Sequence, residues 1–196
     1  MVFDLAEVLN RGIPGLEGPL AEIFSVPVEA VLPNMGGQIM DDYCRGRMTE
    51  DQFWSRTCEK NSWRGDLAAA KRALRANMLV RIPGTEEILR ELAARGLDTY
   101  LLSDHGREWI DDLLDAHDFF KVFERRFFSF ELGSIKRERV TFERLLSDLG
   151  SPDPGSVTFI DDALPNVEMA RSTGIHAVQF TGAGELRKTL EARNLL

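Results

Sequence analysis

The sequence has few of the features that mark membrane, secreted or nucleic-acid-binding proteins. No apolar run approaches the roughly 18 to 20 residues that a bilayer span needs. The opening residues, MVFDLAEVLN, have no basic segment ahead of an apolar one, so they do not resemble a secretion signal. Lys and Arg together number 24 against 32 Asp and Glu, giving a net charge of −8. We therefore expect a cytoplasmic protein that binds neither nucleic acid nor membranes.

Cysteine is also scarce, which excludes a disulfide scaffold or a cysteine-based metal site. The two cysteines, Cys44 and Cys58, do not have the CxxC spacing of redox or zinc motifs, and we expect both to be reduced thiols. The 196 residues are 43% apolar and 29% charged. This length and composition are typical of one globular domain, or of one core domain that carries a small insertion.

From residue 83 onward, strand-like and helix-like segments alternate. The predicted strands are LDTYLLSD, RFFSF, VTFIDD and IHAVQF, and the segments between them have helical periodicity. With the short apolar run before Asp4 as a first strand, this alternation predicts an α/β fold: a Rossmann-like, three-layer parallel sheet covered by helices on both faces. In such sheets the functional crevice lies at the carboxyl ends of the strands.

Residues 13–79 interrupt the alternation: they contain no clear strand, and the segments FSVPVEAVLP, MGGQIMDDYCRG, TEDQFWSRTCEKN and DLAAAKRALRANML look helical. We predict a core domain formed by residues 1–12 and 80–196, with 13–79 inserted as a helical cap over the crevice. The alternative is that the insertion is an additional helical layer of the same core. Thr49 is the expected N-cap of one helix. We expect Trp54, Trp63 and Met40 to pack inside the insertion.

Polar residues follow three of the predicted strands. Asp4 follows the first, Ser103 and Asp104 end the second, and Asp161 and Asp162 end a later one. Each has an ordinary structural interpretation when it is taken alone, as a turn residue, a helix cap or a loop acid. The same holds for Lys136, which on its own would be a solvated surface lysine. Together, at the carboxyl ends of parallel strands, they indicate one polar site.

Four segments carry a family resemblance that covers nearly the whole chain. FDLAEVL resembles the motif hhFDxxGVL, and LLSDHGREW resembles hhhS/T. ELGSIKRERVTFERLL resembles GxxKPDPxIFxxxL, and VTFIDDALPNVEMARSTGIHAVQF resembles hhFIDDxxxNhxxAxxxGhxxhxf. In this order they resemble the haloacid dehalogenase-like (HAD) superfamily. RGRMTEDQFW in the insertion resembles the small helical cap of the subgroup close to sugar-phosphate phosphatases and the N-terminal domain of epoxide hydrolases.

The resemblance implies a role for each polar residue at the strand ends. Asp4 would be the nucleophile that forms an aspartyl-phosphate. Ser103, Lys136 and the backbone N–H of Asp104, at a helix start, would bind phosphate oxygens.

The resemblance also implies a Mg²⁺ site. Mg²⁺ would be bound by Asp4, Asp161, Asp162 and the backbone carbonyl of Ala6. Asn166 would orient the acidic pair.

His105 has two interpretations. It follows the serine motif, so it either faces the crevice as a substrate contact or proton shuttle, or is a helix N-terminal residue without a catalytic role.

Two positions depart from the family pattern. Ala6 replaces the aspartate that protonates the leaving group and later activates water, a contribution typically worth about 10²- to 10⁴-fold in rate. The loss matters most for poor leaving groups. Arg137 replaces the proline that usually follows the motif lysine, and the sequence does not reveal how this affects the direction of Lys136.

The expected activity is that of a Mg²⁺-dependent phosphatase acting on a small phosphorylated metabolite. Two alternatives follow from the same residues. A weakly active or non-catalytic phosphate-binding module is motivated by Ala6 and Arg137. A dehalogenase, in which Asp4 attacks carbon, is disfavoured by the acidic pair at 161 and 162, which that class usually lacks.

Overall fold

A single parallel sheet forms the centre of the molecule. The computed structural model describes residues 1–196, and its strands are β1 (Val2–Phe3), β2 (Tyr100–Ser103), β3 (Arg125–Phe128), β4 (Thr158–Asp161) and β5 (His176–Gln179). The strand order is β3-β2-β1-β4-β5, and all neighbouring pairs are parallel. This sheet confirms the predicted α/β class.

Eleven α-helices accompany the sheet. They are α1 (Glu17–Phe24), α2 (Val28–Met35), α3 (Gln38–Cys44), α4 (Glu50–Asn61), α5 (Leu67–Met78), α6 (Thr85–Ala94), α7 (Arg107–Ala116), α8 (Ser129–Leu132), α9 (Arg139–Asp148), α10 (Leu164–Ser172) and α11 (Ala183–Glu191). Short 3₁₀ helices span Asp118–Val122 and Pro154–Ser156. No helix combines the length and hydrophobicity that a bilayer span requires.

Alternating side chains of the central strands build two apolar clusters, one on each face of the sheet. Val2, Leu102 and Phe159 belong to one cluster, which includes apolar residues of α9 and α10. Their neighbours Phe3, Leu101 and Ile160 belong to the other, which includes residues of α6, α7 and α11. Because successive side chains of a strand point to opposite faces, both faces of the sheet are buried, which gives the three layers.

The helices α1 to α5 lie between β1 and β2 in the chain, where the insertion was expected. Thr49 caps α4 as predicted: its hydroxyl accepts from the Gln52 N–H at 3.3 Å, and the Gln52 side chain accepts from the Thr49 N–H at 3.0 Å. The sequence does not predict α1, because Gly18 and Pro19 are poor helix formers. Pro19 lies in the first turn, where its missing N–H would have no helical partner.

The inserted helices are joined to α7 by aromatic packing. The ring of Tyr43 lies 4.7 Å from that of Trp109, and Phe53 lies 5.6 Å from Trp109, centroid to centroid. A Cβ atom added to Gly106 would lie 1.9 Å from the Tyr43 ring, so only glycine permits this approach. The apolar cluster is therefore continuous from the insertion to the sheet. The division into core and cap domains stays a prediction.

A buried carboxylate also stabilises the contact between the inserted helices and α7. Glu50, at the start of α4, accepts hydrogen bonds from the indole N–H groups of Trp109 (2.9 Å) and Trp54 (3.2 Å) and from Arg75 Nη2 (2.7 Å). Burial opposes the charged form of Glu50, but the donors around it outweigh burial and lower the pKa of Glu50. The charged carboxylate therefore holds α4, α5 and α7 together.

We predict that Glu50→Ala lowers the free energy of unfolding by roughly 2 to 4 kcal/mol. It leaves two indole N–H groups without an acceptor and removes one of the two carboxylates that pair with Arg75. Because Arg75 keeps Asp112 as a partner and is partly exposed, the loss is limited. Because the folded-state pKa of Glu50 is depressed, the full difference from the parent persists above the ordinary value of 4.5 and shrinks as the pH falls below it.

Urea unfolding measures this difference. The control is Asp51→Ala, which removes a neighbouring, exposed carboxylate whose side chain pairs only with Lys71. We expect that control to change the free energy of unfolding far less, because an exposed ion pair contributes little to stability. Equal losses for the two variants would contradict the role given to Glu50.

Candidate active site

The carboxyl ends of β1, β2 and β4 meet at one edge of the sheet. Asp4 follows β1, Ser103 is the last residue of β2, and Asp161 is the last residue of β4. Since β1 lies between β2 and β4, the parallel topology alone brings these three positions together. Asp4, Ser103 and Asp161 are all buried, with 4%, 0% and 0% of their surface exposed.

Lys136 is the central charge of this site. Its Nζ atom lies 2.6 Å from Asp4 Oδ1 and 2.6 Å from Asp161 Oδ2, and its side chain is 2% exposed. Burial opposes the charged form of Lys136, but the surrounding carboxylates of Asp161, Asp4 and Asp104 outweigh burial and raise the pKa of Lys136. The lysine is therefore a fixed cation that joins two strand ends.

Asp4 is held in one orientation. Its Oδ1 atom accepts from Lys136 Nζ and from the backbone N–H of Leu5 at 2.6 Å, whereas no hydrogen bond reaches Oδ2. Burial raises the pKa of Asp4, the charge of Lys136 opposes the rise, and Asp161 adds to it. An oriented carboxylate with a free oxygen has the geometry that a nucleophile needs.

Asp161 and Asp162 differ in their hydrogen bonding. Asp161 accepts from Lys136 Nζ, from Asn166 Nδ2 at 3.0 Å and from the Ala163 N–H at 2.9 Å. The carboxylate of Asp162 accepts no hydrogen bond from another residue, and burial together with Asp161 raises the pKa of Asp162. Both carboxylate oxygens of Asp161 thus accept hydrogen bonds within the protein, whereas the carboxylate oxygens of Asp162 remain free.

The donor atoms at this edge fit a small, hard divalent cation. Carboxylate oxygens of Asp4, Asp161 and Asp162 lie within 4.8 Å of one another. The carbonyl oxygen of Ala6 accepts no backbone hydrogen bond and so is also available. Mg²⁺ prefers oxygen ligands of this kind. Among the predicted ligands, Asp4, Asp162 and the Ala6 carbonyl are the ones whose oxygens remain free, while Asp161 orients Lys136.

Ser103 lies beneath the cavity with a histidine partner. Its Oγ atom and Nδ1 of His105 are 2.6 Å apart and share a hydrogen bond. Burial lowers the pKa of His105 to about 3, so the ring is neutral at pH 7. The backbone N–H of His105 donates to Ser129 Oγ at 3.1 Å, and that hydroxyl donates to the carbonyl of Cys44 at 2.6 Å. His105 therefore fixes the Ser103 hydroxyl.

The expectation that Asp104 lies at a helix start is wrong. Helix α7 begins at Arg107 with Gly106 as its N-cap, so Asp104 and His105 belong to the preceding loop. Neither of the two interpretations of His105 included a hydrogen bond to Ser103. The carboxylate of Asp104 accepts from the Lys136 N–H at 2.9 Å, and burial raises the pKa of Asp104 to about 6. Asp104 thus anchors the segment that carries Lys136.

Arg137 does not disturb the direction of Lys136. Its guanidinium pairs with Asp41 of α3, so it points toward the insertion while Lys136 points toward the strand ends. The departure from proline at this position therefore adds a contact between the insertion and the core. Asp41 and Arg137 are 96 residues apart in the chain, and no sequence signal links them.

Glu7 is a site residue that sequence reasoning missed. It stands where the family motif has glycine, and its backbone has a φ of 57°, in the left-handed region that favours glycine. Its Oε1 atom accepts from the Gly12 N–H at 2.7 Å. A Cβ atom at Gly12 would lie 3.0 Å from the Ala6 Cβ, so this loop closes against Ala6. The sequence feature that could have identified Glu7 is that a glutamate stands where the family motif has glycine.

A cavity of about 410 Å³ lies over these residues. It is lined by predicted site residues from several strand ends and loops, namely Ala6, Asp104, His105, Asp162 and Asn166. Asp4, Ser103, Lys136 and Asp161 are buried next to that lining. Met40, expected to pack inside the insertion, also lines the cavity, whereas Trp54 and Trp63 are packed against Phe24 as expected.

We predict that Lys136→Met lowers the free energy of unfolding by roughly 3 to 5 kcal/mol at pH 8 in the presence of EDTA, since two buried carboxylates lose their cation. The loss should shrink toward pH 5, because protonation of a carboxylate relieves the repulsion. Urea unfolding at both pH values measures it. The control is Lys121→Met at an exposed position, and a loss independent of pH would contradict the electrostatic role.

Comparison with known proteins identifies the type of fold and family. The model of a hydrolase family, the haloacid dehalogenase-like hydrolases, matches residues 45–174. One curated relative, Drimenol cyclase drtB from Aspergillus calidoustus, is 28% identical over 195 residues, which is 97% of this chain and 35% of that protein. The chain therefore spans about a third of the length of this relative.

Similar solved structures share the fold at low sequence identity. The HAD family enzyme bt-2542 from Bacteroides thetaiotaomicron, in complex with magnesium and inorganic phosphate, has a TM-score of 0.74 and 18% identity, covering 92% of this chain and 93% of that one. A structure described as a dehalogenase has a TM-score of 0.70 and 16% identity, covering 92% and 83%.

Proposed function

Because the chain belongs to the haloacid dehalogenase-like hydrolase family, we propose that it is a Mg²⁺-dependent phosphatase that acts on a small phosphorylated metabolite. The observation that carries this proposal is the position of Lys136, 2.6 Å from both Asp4 and Asp161 and beside the free carboxylate of Asp162. A similar structure that holds magnesium and inorganic phosphate supports the same chemistry.

In the proposed reaction, a carboxylate oxygen of Asp4 attacks the phosphorus atom of the ester. The bond between phosphorus and the ester oxygen breaks, and the leaving oxygen takes a proton from solvent and departs as the alcohol, since Ala6 cannot supply one. An aspartyl-phosphate remains on Asp4. Water then attacks this phosphorus atom, which releases inorganic phosphate and restores Asp4. Mg²⁺, held by Asp4, Asp162 and the Ala6 carbonyl, would supply positive charge next to the phosphoryl oxygens.

The remaining residues position the reacting groups. Lys136 keeps Asp4 oriented and contributes a second positive charge. Ser103, fixed by His105, and the backbone N–H of Asp104 are the proposed phosphate contacts. Asn166 holds Asp161, and Asp161 holds Lys136, so both act through the lysine.

We predict that the native chain hydrolyses phosphate esters only with Mg²⁺ and that Asp4→Asn abolishes turnover, since an amide cannot attack phosphorus. Phosphate release from a panel that includes acetyl phosphate, 4-nitrophenyl phosphate and alkyl phosphates measures this. Asp162→Asn should mainly raise the Mg²⁺ concentration required. Turnover that persists in Asp4→Asn would remove Asp4 from the nucleophile role.

Ala6 favours a second candidate, a module that binds phosphate but turns it over weakly or not at all. The methyl group at this position cannot protonate a leaving group. Binding of inorganic phosphate with Mg²⁺, without hydrolysis of any ester in the panel, would favour this function. Release of halide from a 2-haloacid without Mg²⁺ would instead indicate a dehalogenase, which the acidic pair at 161 and 162 disfavours.

We predict that Ala6→Asp raises kcat on alkyl phosphates by about 10-fold or more, with little change on acetyl phosphate, because only the poor leaving group needs a proton. The matched control is Ala6→Asn, which has nearly the same size and the same close contact with Gly12 but carries no acid. Equal gains on both substrates, or equal gains for the two variants, would refute the general-acid explanation.

A further inference from the structure

The cavity above the candidate site has two chemically different walls. The wall at the strand ends carries Asp104, His105, Asp162 and Asn166. The other part of the lining, called the apolar wall below, comes from the inserted segment, α7 and the loop before Lys136. It is formed mainly by apolar side chains, namely Ile13, Pro14, Met40, Met78, Trp109 and Ile135.

The polar side chains near the apolar wall already have partners within the protein. The indole N–H of Trp109 donates to Glu50, so only the apolar part of this ring can contact a ligand. Arg137 pairs with Asp41, and Oε1 of Glu7 accepts from the Gly12 N–H. The buried thiol of Cys44 is neutral, since burial raises the pKa of Cys44. Ile13, Met40, Met78 and the Trp109 ring therefore offer a ligand no side-chain hydrogen bond, and the remaining free polar atoms belong to Arg137, Asp41 and Glu7.

These existing hydrogen bonds restrict the chemistry of the organic part of a ligand. A hydroxyl group placed against Ile13, Met40, Met78 or Trp109 would lose water without gaining a side-chain partner, which weakens binding by about 5- to 100-fold per group. A hydrocarbon group in the same place would lose only unfavourable contact with water. The polar wall, by contrast, suits the charged phosphate end.

Building on the proposed phosphatase function, we propose that the substrate is a phosphate monoester of a small apolar alcohol rather than of a sugar or other polyol. The phosphate lies at the strand ends, and the hydrocarbon part contacts Ile13, Met40, Met78 and Trp109. Specificity then arises from the inserted segment, whose side chains form most of the apolar wall.

Two ligand pairs test this proposal. In the first, kcat/KM is compared for hexyl phosphate and sorbitol 6-phosphate, both esters of primary alcohols. The polyol is the better leaving group, so intrinsic reactivity works against the expected result. We expect hexyl phosphate to be preferred by at least about 10-fold. A preference for the polyol, or equal values, would overturn the proposal.

In the second pair, calorimetry measures binding of hexylphosphonate and 2,3-dihydroxypropylphosphonate to the native chain with Mg²⁺. Neither compound can be hydrolysed, so this comparison does not depend on turnover. Tighter binding of hexylphosphonate, by about 10-fold or more, supports the apolar wall even if no ester is hydrolysed, a result that would refute the phosphatase function alone. Equal binding of the two phosphonates, or no binding of either, would overturn the proposal.

Substitutions in the apolar wall test whether its side chains cause the preference for the hexyl compound. Met40→Gln and Ile13→Thr place polar atoms of similar volume at two partly buried positions, and each should reduce the preference for the hexyl compound about 3- to 10-fold. Met169→Gln, on the other face of the sheet, is the control. An unchanged preference in both wall variants would contradict the assignment.

Discussion

The bridge from Lys136 to Asp4 and Asp161 is the interaction on which the rest of the site depends. It joins the ends of β1 and β4 through one buried ammonium group, with both N–O distances at 2.6 Å. Transferring an ammonium group from water into the protein interior costs free energy, and the two carboxylates that share the cation offset this desolvation cost. Asn166 and the Asp104 carboxylate then fix the two sides of the bridge. The orientation that the proposed chemistry needs and the local stability therefore depend on the same contacts.

A second charged residue, Glu50, organises the contact between the inserted helices and the core. It does so through Trp109, whose ring also forms part of the cavity wall. The position of the inserted helices and the shape of the cavity are therefore linked by one side chain. The close packing of Tyr43 on Gly106 restricts the same junction, since no larger residue fits there.

Much of the fold and part of the site follow from local sequence signals. The alternation of apolar strands and helices predicts the parallel sheet, and the sheet places Asp4, Ser103 and Asp161 at one edge. The contact between Ser103 and His105 was not predicted, because it depends on the conformation of the loop between β2 and α7, which no local pattern determines.

Other features depend on contacts between distant parts of the chain. The Glu50–Trp109 hydrogen bond joins residues 59 apart in sequence, and only the packed structure reveals it. The left-handed backbone of Glu7 is likewise set by the loop that closes on Gly12, not by a local preference of glutamate.

The short central strand has a consequence for the order in which the molecule is assembled. Strand β1 consists of Val2 and Phe3, and both of its partners come much later in the chain: Val2 pairs with Tyr100 on one side and with Phe159 on the other. During synthesis, the segment carrying Asp4 emerges before both of its partner strands and has no complete docking place until β4 has left the ribosome. Such long-range closure is slow compared with helix formation. The inserted helices are thus available to fold while the residue at the centre of the proposed chemistry still lacks one of its neighbouring strands.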